Sequence, residues 1–356
     1  MNILSKPDMG FINSKFHKKQ RKFICLALMG VGFLTFAPAS QASLYNFTTI
    51  SIITGYPATQ AHGINDSGQV VGQYYDTSGW HGFVDSGGNI NTITYPYILL
   101  PVAGTIANGI NNNGQVVGRY AATTNDEYSG KYHGFTESDG NFKTIDYPTA
   151  ITTWANGINN SGQVVGWFYN ATDYPGYHSF VEKDGNFTVI NTPSAPYSSH
   201  AYGINDNGQI VGYYDDINGY HGFEISGGVF STLDHPSAVG TVNTGTRAYG
   251  INNNGQVVGQ YWDGTSYHGF VESEGIFTTL DSPFATKNNY ITGNYGINNN
   301  GQIVGTYVDD IGNHGFVATP ATIPIPAAVW LFGSALGAIG FFNKRRMSNP
   351  ESCVAA

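Results

Sequence analysis

An all-β fold, a six-bladed β-propeller of four-stranded antiparallel blades, is what three features of the sequence predict. First, the tripeptide Gly-Ile-Asn opens at Gly63, Gly109, Gly157, Gly203, Gly250 and Gly296, at spacings of 46, 48, 46, 47 and 46 residues. Second, each copy holds four short β-branched and aromatic runs bounded by Gly, Asn, Asp or Pro, which read as strands. Third, the 356 residues include 47 Gly, 24 Tyr and 21 Phe but only 11% charged residues. That mixture is too aromatic for a disordered chain and suits many tight turns. Four antiparallel strands in a period near 47 is the arithmetic of a propeller blade.

The elements follow in order within each copy. Segment A ends in the tripeptide, as in "RAYGIN", and segment B is "GQVVGQY". Between them "NNNG", "NDNG" or "NDSG" supplies a tight hairpin, because Asn tolerates positive φ and Gly adopts it at little cost. Segment C is "YHGFVES" and segment D "FTTLDSP", joined by turns such as "SDGN" and "SEGI". A Pro ends segment D at Pro96, Pro148, Pro193, Pro236 and Pro283; with no N–H to donate, it stops the ladder. A Gly inside segment B (Gly72, Gly118, Gly166, Gly212, Gly259, Gly305) weakens an isolated strand, so its recurrence signals a close approach.

The chain ends choose a ring over an open solenoid. The sixth copy has A, B and C but no D, while an orphan D-like segment, "FTTISIITGYP", stands before the first copy at residues 47–57. The N-terminal strand is therefore expected to complete the last blade and close the circle.

Outside the repeats, residues 15–22 are basic, 23–36 apolar, and "APASQAS" supplies Ser40 and Ala42 at the −3 and −1 positions of a cleavage site. This is a secretory signal over residues 1–42. The propeller occupies 43–320. Residues 321–346 form a C-terminal sorting or transmembrane segment, in which Ala327 to Phe342 is apolar or small and Lys344, Arg345 and Arg346 follow; 347–356 is a short polar tail. Between 43 and 320 stand six Lys/Arg against 22 Asp/Glu, a balance of −16, which repels nucleic-acid phosphates. Neither Cys lies in that span, so an exported domain here relies on its core rather than on disulfides.

"GINNNGQVVG", followed about eighteen residues on by "YHGFV", resembles the HAF-repeat family of bacterial exported proteins, over all six copies. The resemblance implies an extracellular location and little about activity. The C-terminus resembles a PEP-CTERM-type sorting signal of the Val-Pro-Leu-Pro-Ala variant, carried here by Pro324, Pro326 and Ala327 with Lys344, Arg345 and Arg346. It departs from that pattern in having Ile at two positions and ten residues after the basic cluster. This resemblance implies an exosortase-type sorting peptidase as partner, transient membrane anchoring, and a Gram-negative surface that carries exopolysaccharide. A plain single-pass anchor is the alternative.

Candidate chemistry is sparse. His81, His133, His178, His221, His268 and His314 recur in segment C. Strands lie about 4.8 Å apart, which puts these histidines too far from the axis to share a metal, so each is expected to bond a backbone carbonyl or turn Asp of its own blade. Asp215/Asp216 and Asp309/Asp310 read as solvated turn acids, with weak calcium binding left open. No cofactor, metal site or catalytic residue is assigned, and the near-symmetry of the consensus argues against an enzyme. The variable connections, B–C and D–A, share one face and are rich in Tyr, Asn and Thr. Tyr97, Tyr128, Trp154, Tyr174, Tyr197 and Tyr290 are the candidate ligand-binding residues there, because aromatic faces beside amides suit sugar rings. The resulting expectation is a non-enzymatic binding or display module at the cell envelope, with extracellular polysaccharide as the candidate ligand. The alternatives are a glycan hydrolase or lyase using acids on the variable face, and a structural matrix protein.

Overall fold

The computed structural model describes residues 44–50, 52, 58–96, 104–122, 126, 130–172, 176–192, 198–286 and 292–321. They form 24 strands. In the first copy, A is Thr59–Ile64, B is Val70–Asp76, C is Gly79–Ser86 and D is Asn89–Ile93, each antiparallel to the next. The other copies repeat the order, with a register shift in every A–B ladder one residue before the Gly of the tripeptide.

The expectation of six separate four-stranded blades is corrected. Only four sheets are four-stranded; the third and fourth copies merge into one eight-stranded sheet. The junction is one parallel pair, Tyr177 with Ser198, where the C strand Tyr177–Lys183 meets the A strand Ser198–Ile204. At two other junctions the equivalent contact is an isolated bridge, Tyr220 with Gly245 and Ala58 with Asn313.

Turn chemistry follows the sequence. Gly68, Gly114, Gly162, Gly208, Gly255 and Gly301 all have φ between 75° and 81°, which explains their place in the A–B hairpins. The core is built from the repeat itself: Phe83, Phe135, Phe180, Phe223, Phe270 and Phe316 are each 0% exposed. The Val pair of segment B packs beside them.

The copies lock together around an axis through the tripeptide Asn. Asn65 Nδ2 donates to Asn111 O, Asn111 to Asn159 O, Asn159 to Asn205 O, Asn205 to Asn252 O, Asn252 to Asn298 O, and Asn298 back to Asn65 O at 2.9 Å. One residue on, Asp66 and Asp206 each accept from two flanking amides: Asn112 and Asn299 for Asp66, Asn160 and Asn253 for Asp206. Every side-chain amide in this second ring therefore finds an acceptor across a copy boundary.

The strand Tyr45–Ile50 pairs antiparallel with Asn313–Pro320, from Tyr45 opposite Pro320 to Ile50 opposite Gly315. Among the described residues no helix is long and apolar enough to cross a membrane. The apolar run at 327–342 and the sorting motif lie outside the described residues.

Candidate functional site: an axial chamber

The repeat fixes most strand positions but leaves three free. These are the residues three and one before the Gly of the tripeptide, and the residue after the Gly of segment B. Around the ring the first pairs across the A–B ladder with the third: Gln60 with Gln73, Ile106 with Arg119, Trp154 with Trp167, His200 with Tyr213, Arg247 with Gln260, and Gly293 with Thr306. Strand alternation puts the remaining position on the same side as the first: His62, Asn108, Asn156, Tyr202, Tyr249 and Tyr295. Nine of these positions line a cavity of about 150 Å³: Gln60, Gln73 and Arg119 from the ladder pairs, and all six residues that precede the tripeptide Gly. It lies at the end of the strands that carries the D–A and B–C connections.

The chamber's lining is polar around His62 and Arg119 and carries the rings of Tyr202, Tyr249 and Tyr295 opposite. In the polar half His62 Nδ1 stands 3.0 Å from Ala107 O. A carbonyl can only accept, so Nδ1 carries the proton and Nε2 is the lone-pair atom. Burial, reinforced by the charge of Arg119, lowers the His62 pKa to about 4, so the imidazole is neutral at pH 7. Arg119 Nη1 donates to Asn108 Oδ1 at 3.3 Å, and its guanidinium lies 3.5 Å from the centre of the Trp154 ring, a cation–π contact. Gln73 Nε2 donates to Gln60 Oε1 at 2.6 Å.

Behind the chamber's lining an aromatic stack runs from Trp154 through Trp167, His200 and Tyr213, with successive ring centres 4.4, 5.1 and 4.8 Å apart. Arg247 follows, 4.2 Å above the Tyr220 ring and donating to Asn243 O. His200 is held neutral by burial and by Arg247, its pKa lowered to about 3. Burial also raises the pKa of Tyr202, Tyr213, Tyr249 and Tyr295, so their hydroxyls stay protonated donors. Between residues 43 and 320 the sequence has two arginines, Arg119 and Arg247. They come from the second and fifth copies, on opposite sides of the axis.

The segment C histidines lie away from the chamber and serve their own copies. His81 bonds Asp76, His133 bonds Asp146, and His314 bonds Asp309. His221 is held between Asp234 and Asp216, and His268 between Asp281 and Asp263. His178 differs, with Nε2 buried and unpartnered. Asp216 and Asp309 spend their oxygens on turn N–H groups and these imidazoles, while Asp215 accepts from Ser198 Oγ. Among the described residues no three His, Cys, Asp or Glu side chains converge as a metal site would need.

Of the six aromatic residues expected on the variable face, Trp154 is described; it packs between the Arg119 guanidinium and Trp167, behind the lining of the axial chamber. Tyr97, Tyr128, Tyr174, Tyr197 and Tyr290 lie outside the described residues. Sequence reasoning missed His62, Arg119, Tyr202, Tyr249 and Tyr295, because it sought asymmetry in the loops. The signal was present in the strands, at three positions that vary inside an otherwise strict repeat.

No family model matches the chain, and no curated protein is similar to it. Solved structures of similar fold include a gluconolactonase from Xanthomonas campestris, at 12% identity and a TM-score of 0.48, covering 78% of this chain and 90% of that one. AofleA from Arthrobotrys oligospora shows 11% identity and a TM-score of 0.47, covering 80% and 96%. A puromycin-hydrolyzing peptidase from Mycobacterium tuberculosis shows 11% identity and a TM-score of 0.46, covering 78% of this chain and 42% of that one. The sequence-based exclusion of an enzyme is corrected, because its physical premise fails: near-symmetry of the consensus says nothing about the three free positions, where a neutral imidazole and a guanidinium share one chamber.

Proposed function

We propose that the chain is a hydrolase that opens a small ester or lactone in the axial chamber. The observation that carries this reading is His62, a neutral imidazole with Nε2 as its lone-pair atom, beside the Arg119 guanidinium. Among the described residues none that lines the chamber is a carboxylic acid, and glycosidic cleavage ordinarily needs two. Ester hydrolysis needs a base and a cation instead. His62 Nε2 takes a proton from water, and the resulting hydroxide attacks the carbonyl carbon. The carbonyl oxygen becomes an oxyanion opposite Arg119, in a site where such stabilisation is strong. The C–O bond to the alcohol then breaks, and the leaving alkoxide takes the proton back from His62. A low imidazole pKa makes His62 a weak base but a strong proton donor for that last step.

His62→Ala should lower kcat/KM for a sugar δ-lactone by roughly 100- to 10,000-fold, with little change in melting temperature. Only neutral His62 can accept the proton, so protonation removes the base. The rate should therefore hold from neutral pH down to about 5 and fall as pH drops through about 4. Turnover in His62→Ala equal to wild type, or an acid limb near 6.5, would place the base elsewhere.

The cellular setting belongs to the same proposal. Export is supported by the three-part signal before residue 43, and surface sorting by "IPIPAAVW" followed by "KRR". In the native cell the mature protein should lose the segment after roughly residue 323, and replacing Pro324 and Pro326 with Ala should block that loss. Intact mass measured on surface material decides it: a surface protein that retains Arg346 would be simply anchored.

A further inference from the structure

We infer that Trp154 and Asn108 are positioning residues for Arg119: the indole face from behind and the amide from the side aim the guanidinium into the axial chamber beside His62. The inference rests on the hydrolase reading for its meaning in catalysis. The placement itself can be read without turnover.

Arginine ends a long, rotamer-rich side chain, and its planar guanidinium stabilises an oxyanion only when it is held in one direction. Arg119 stands on the strand Val116–Tyr120, opposite Ile106 in the ladder, whose side chain has no polar atom to orient it. Two other neighbours do so. The first acts across a copy boundary. Trp154, on Thr152–Ile158 of the next copy, lays its ring centre 3.5 Å from the guanidinium carbon. Indole is the best aromatic face for a cation, and it orients the charge without neutralising it. The indole is itself fixed. Trp167 packs against it with ring centres 4.4 Å apart, and Tyr132 meets it edge-on at 5.6 Å. Tyr132 also stands 5.6 Å from the guanidinium carbon.

The second neighbour belongs to the same copy. Asn108 Oδ1 accepts from Arg119 Nη1 at 3.3 Å. The other end of that amide sets its direction: Nδ2 donates to Ala155 O at 2.9 Å and to Asn156 Oδ1 at 3.3 Å. Asn156 Nδ2 donates in turn to Ala201 O at 2.8 Å. A carbonyl can only accept, so each Nδ2 is pinned to the next copy and each Oδ1 is turned the other way. His62 Nδ1 uses the same kind of carbonyl one copy earlier, Ala107 O. Three successive copies thus share one backbone acceptor, two residues before the tripeptide Gly of the following copy. It fixes the lone pair of the base, then the acceptor that holds the guanidinium, then the amide behind that acceptor. The other three copies carry Tyr202, Tyr249 and Tyr295 at this position, and their rings line the rest of the chamber. The guanidinium held in this way is also the charge that acts on His62, where it helps burial to keep the imidazole neutral.

The test is a double-mutant cycle on the purified chain with two readouts: the His62 pKa, followed by NMR of the imidazole, and the steady-state kinetics of a sugar δ-lactone. Wild type should titrate at about 4. Arg119→Ala removes a cation that disfavours the imidazolium, so the His62 pKa should rise. Trp154→Leu and Asn108→Leu should each raise it part of the way, because the guanidinium then swings off His62. Each should also lower kcat by roughly 10- to 100-fold, with a smaller change in KM. Trp154→Phe keeps a ring face and should recover most of both losses. In an Arg119→Ala background Trp154→Leu should move neither readout further, since a residue that acts through another has no effect once that other is gone. Additive effects of Arg119→Ala and Trp154→Leu overturn the inference. So does a His62 pKa that stays near the wild-type value in both Trp154→Leu and Asn108→Leu. Melting curves identify any variant that unfolds, and Asn108→Leu carries the same cycle should Trp154→Leu be one. Absence of turnover in wild type would sink the hydrolase reading, while the His62 pKa still decides what holds Arg119.

Discussion

Gly72→Ala should destabilise the domain by about 3 kcal/mol, while Gly68→Ala, four residues earlier, should cost about 1–2 kcal/mol. The two glycines exist for different reasons. A Cβ on Gly72 would lie 2.0 Å from the backbone oxygen of Gln60 and 2.8 Å from the Phe83 ring. The oxygen belongs to the paired A strand and cannot swing away, and Phe83 is fully buried. Strand and core must both move. The same approach, between 1.9 and 2.1 Å, recurs at Gly118, Gly166, Gly212, Gly259 and Gly305, so the cost should be similar at each. Gly68 has open space around it and is needed only for its φ of 81°, so alanine there meets strain but no collision. Chemical denaturation of both variants reads the difference directly. A midpoint for Gly72→Ala within error of wild type would mean that the strands are not held this closely.

Those glycines also show what was legible. The spacing of "GIN", the hairpin residues and the terminal prolines mark an all-β propeller and the positions of its strands, because turn chemistry and strand alternation act locally. The recurrence of Gly in segment B announces a close approach, although the partner proves to be the A strand of the same copy. The copy-to-copy contact belongs to the glycines of the tripeptide: a Cβ on Gly109 would lie 2.6 Å from Asn156 O. The merging of the third and fourth copies into one sheet depends on a single pair, Tyr177 with Ser198, and no sequence pattern distinguishes that pair from an isolated bridge. The chamber escaped for another reason. Its residues stand where the repeat is silent: His62, Asn108, Asn156, Tyr202, Tyr249 and Tyr295 are of three chemical kinds. Only their common place, one residue before the tripeptide Gly, brings them together. Searching the consensus for a site looks where the six copies must agree on packing. Function in a ring of repeats sits where they are free to disagree.

Deleting residues 44–50 should cost most of the domain's stability, because that strand contributes on three counts. It pairs with Asn313–Pro320 along six residues, and Ala321 N–H donates to Leu44 O just beyond them. It covers Phe316 with Phe47, ring centres 5.3 Å apart, and buries Ile50. It also joins Thr49 Oγ1 to the Tyr307 hydroxyl at 3.1 Å. Losing the buried Ile50 and the half-buried Phe47 costs about 2–5 kcal/mol, a large part of a typical net stability of about 5–15 kcal/mol. The damage should also be qualitative. Asn313–Pro320 would become a bare edge, with unpaired N–H and C=O groups beside an uncovered Phe, and such edges recruit other chains. The truncated protein should therefore melt earlier and lose its single cooperative transition, with aggregation that rises with protein concentration. A synthetic peptide of residues 43–52 should reverse both effects by adding back the missing strand, since main-chain pairing supplies affinity and Phe47 and Ile50 supply register. A peptide with Phe47 and Ile50 replaced by Ser should fail to do so. If the truncated chain melts cooperatively at the wild-type midpoint, the N-terminal strand is an ornament on an already closed domain.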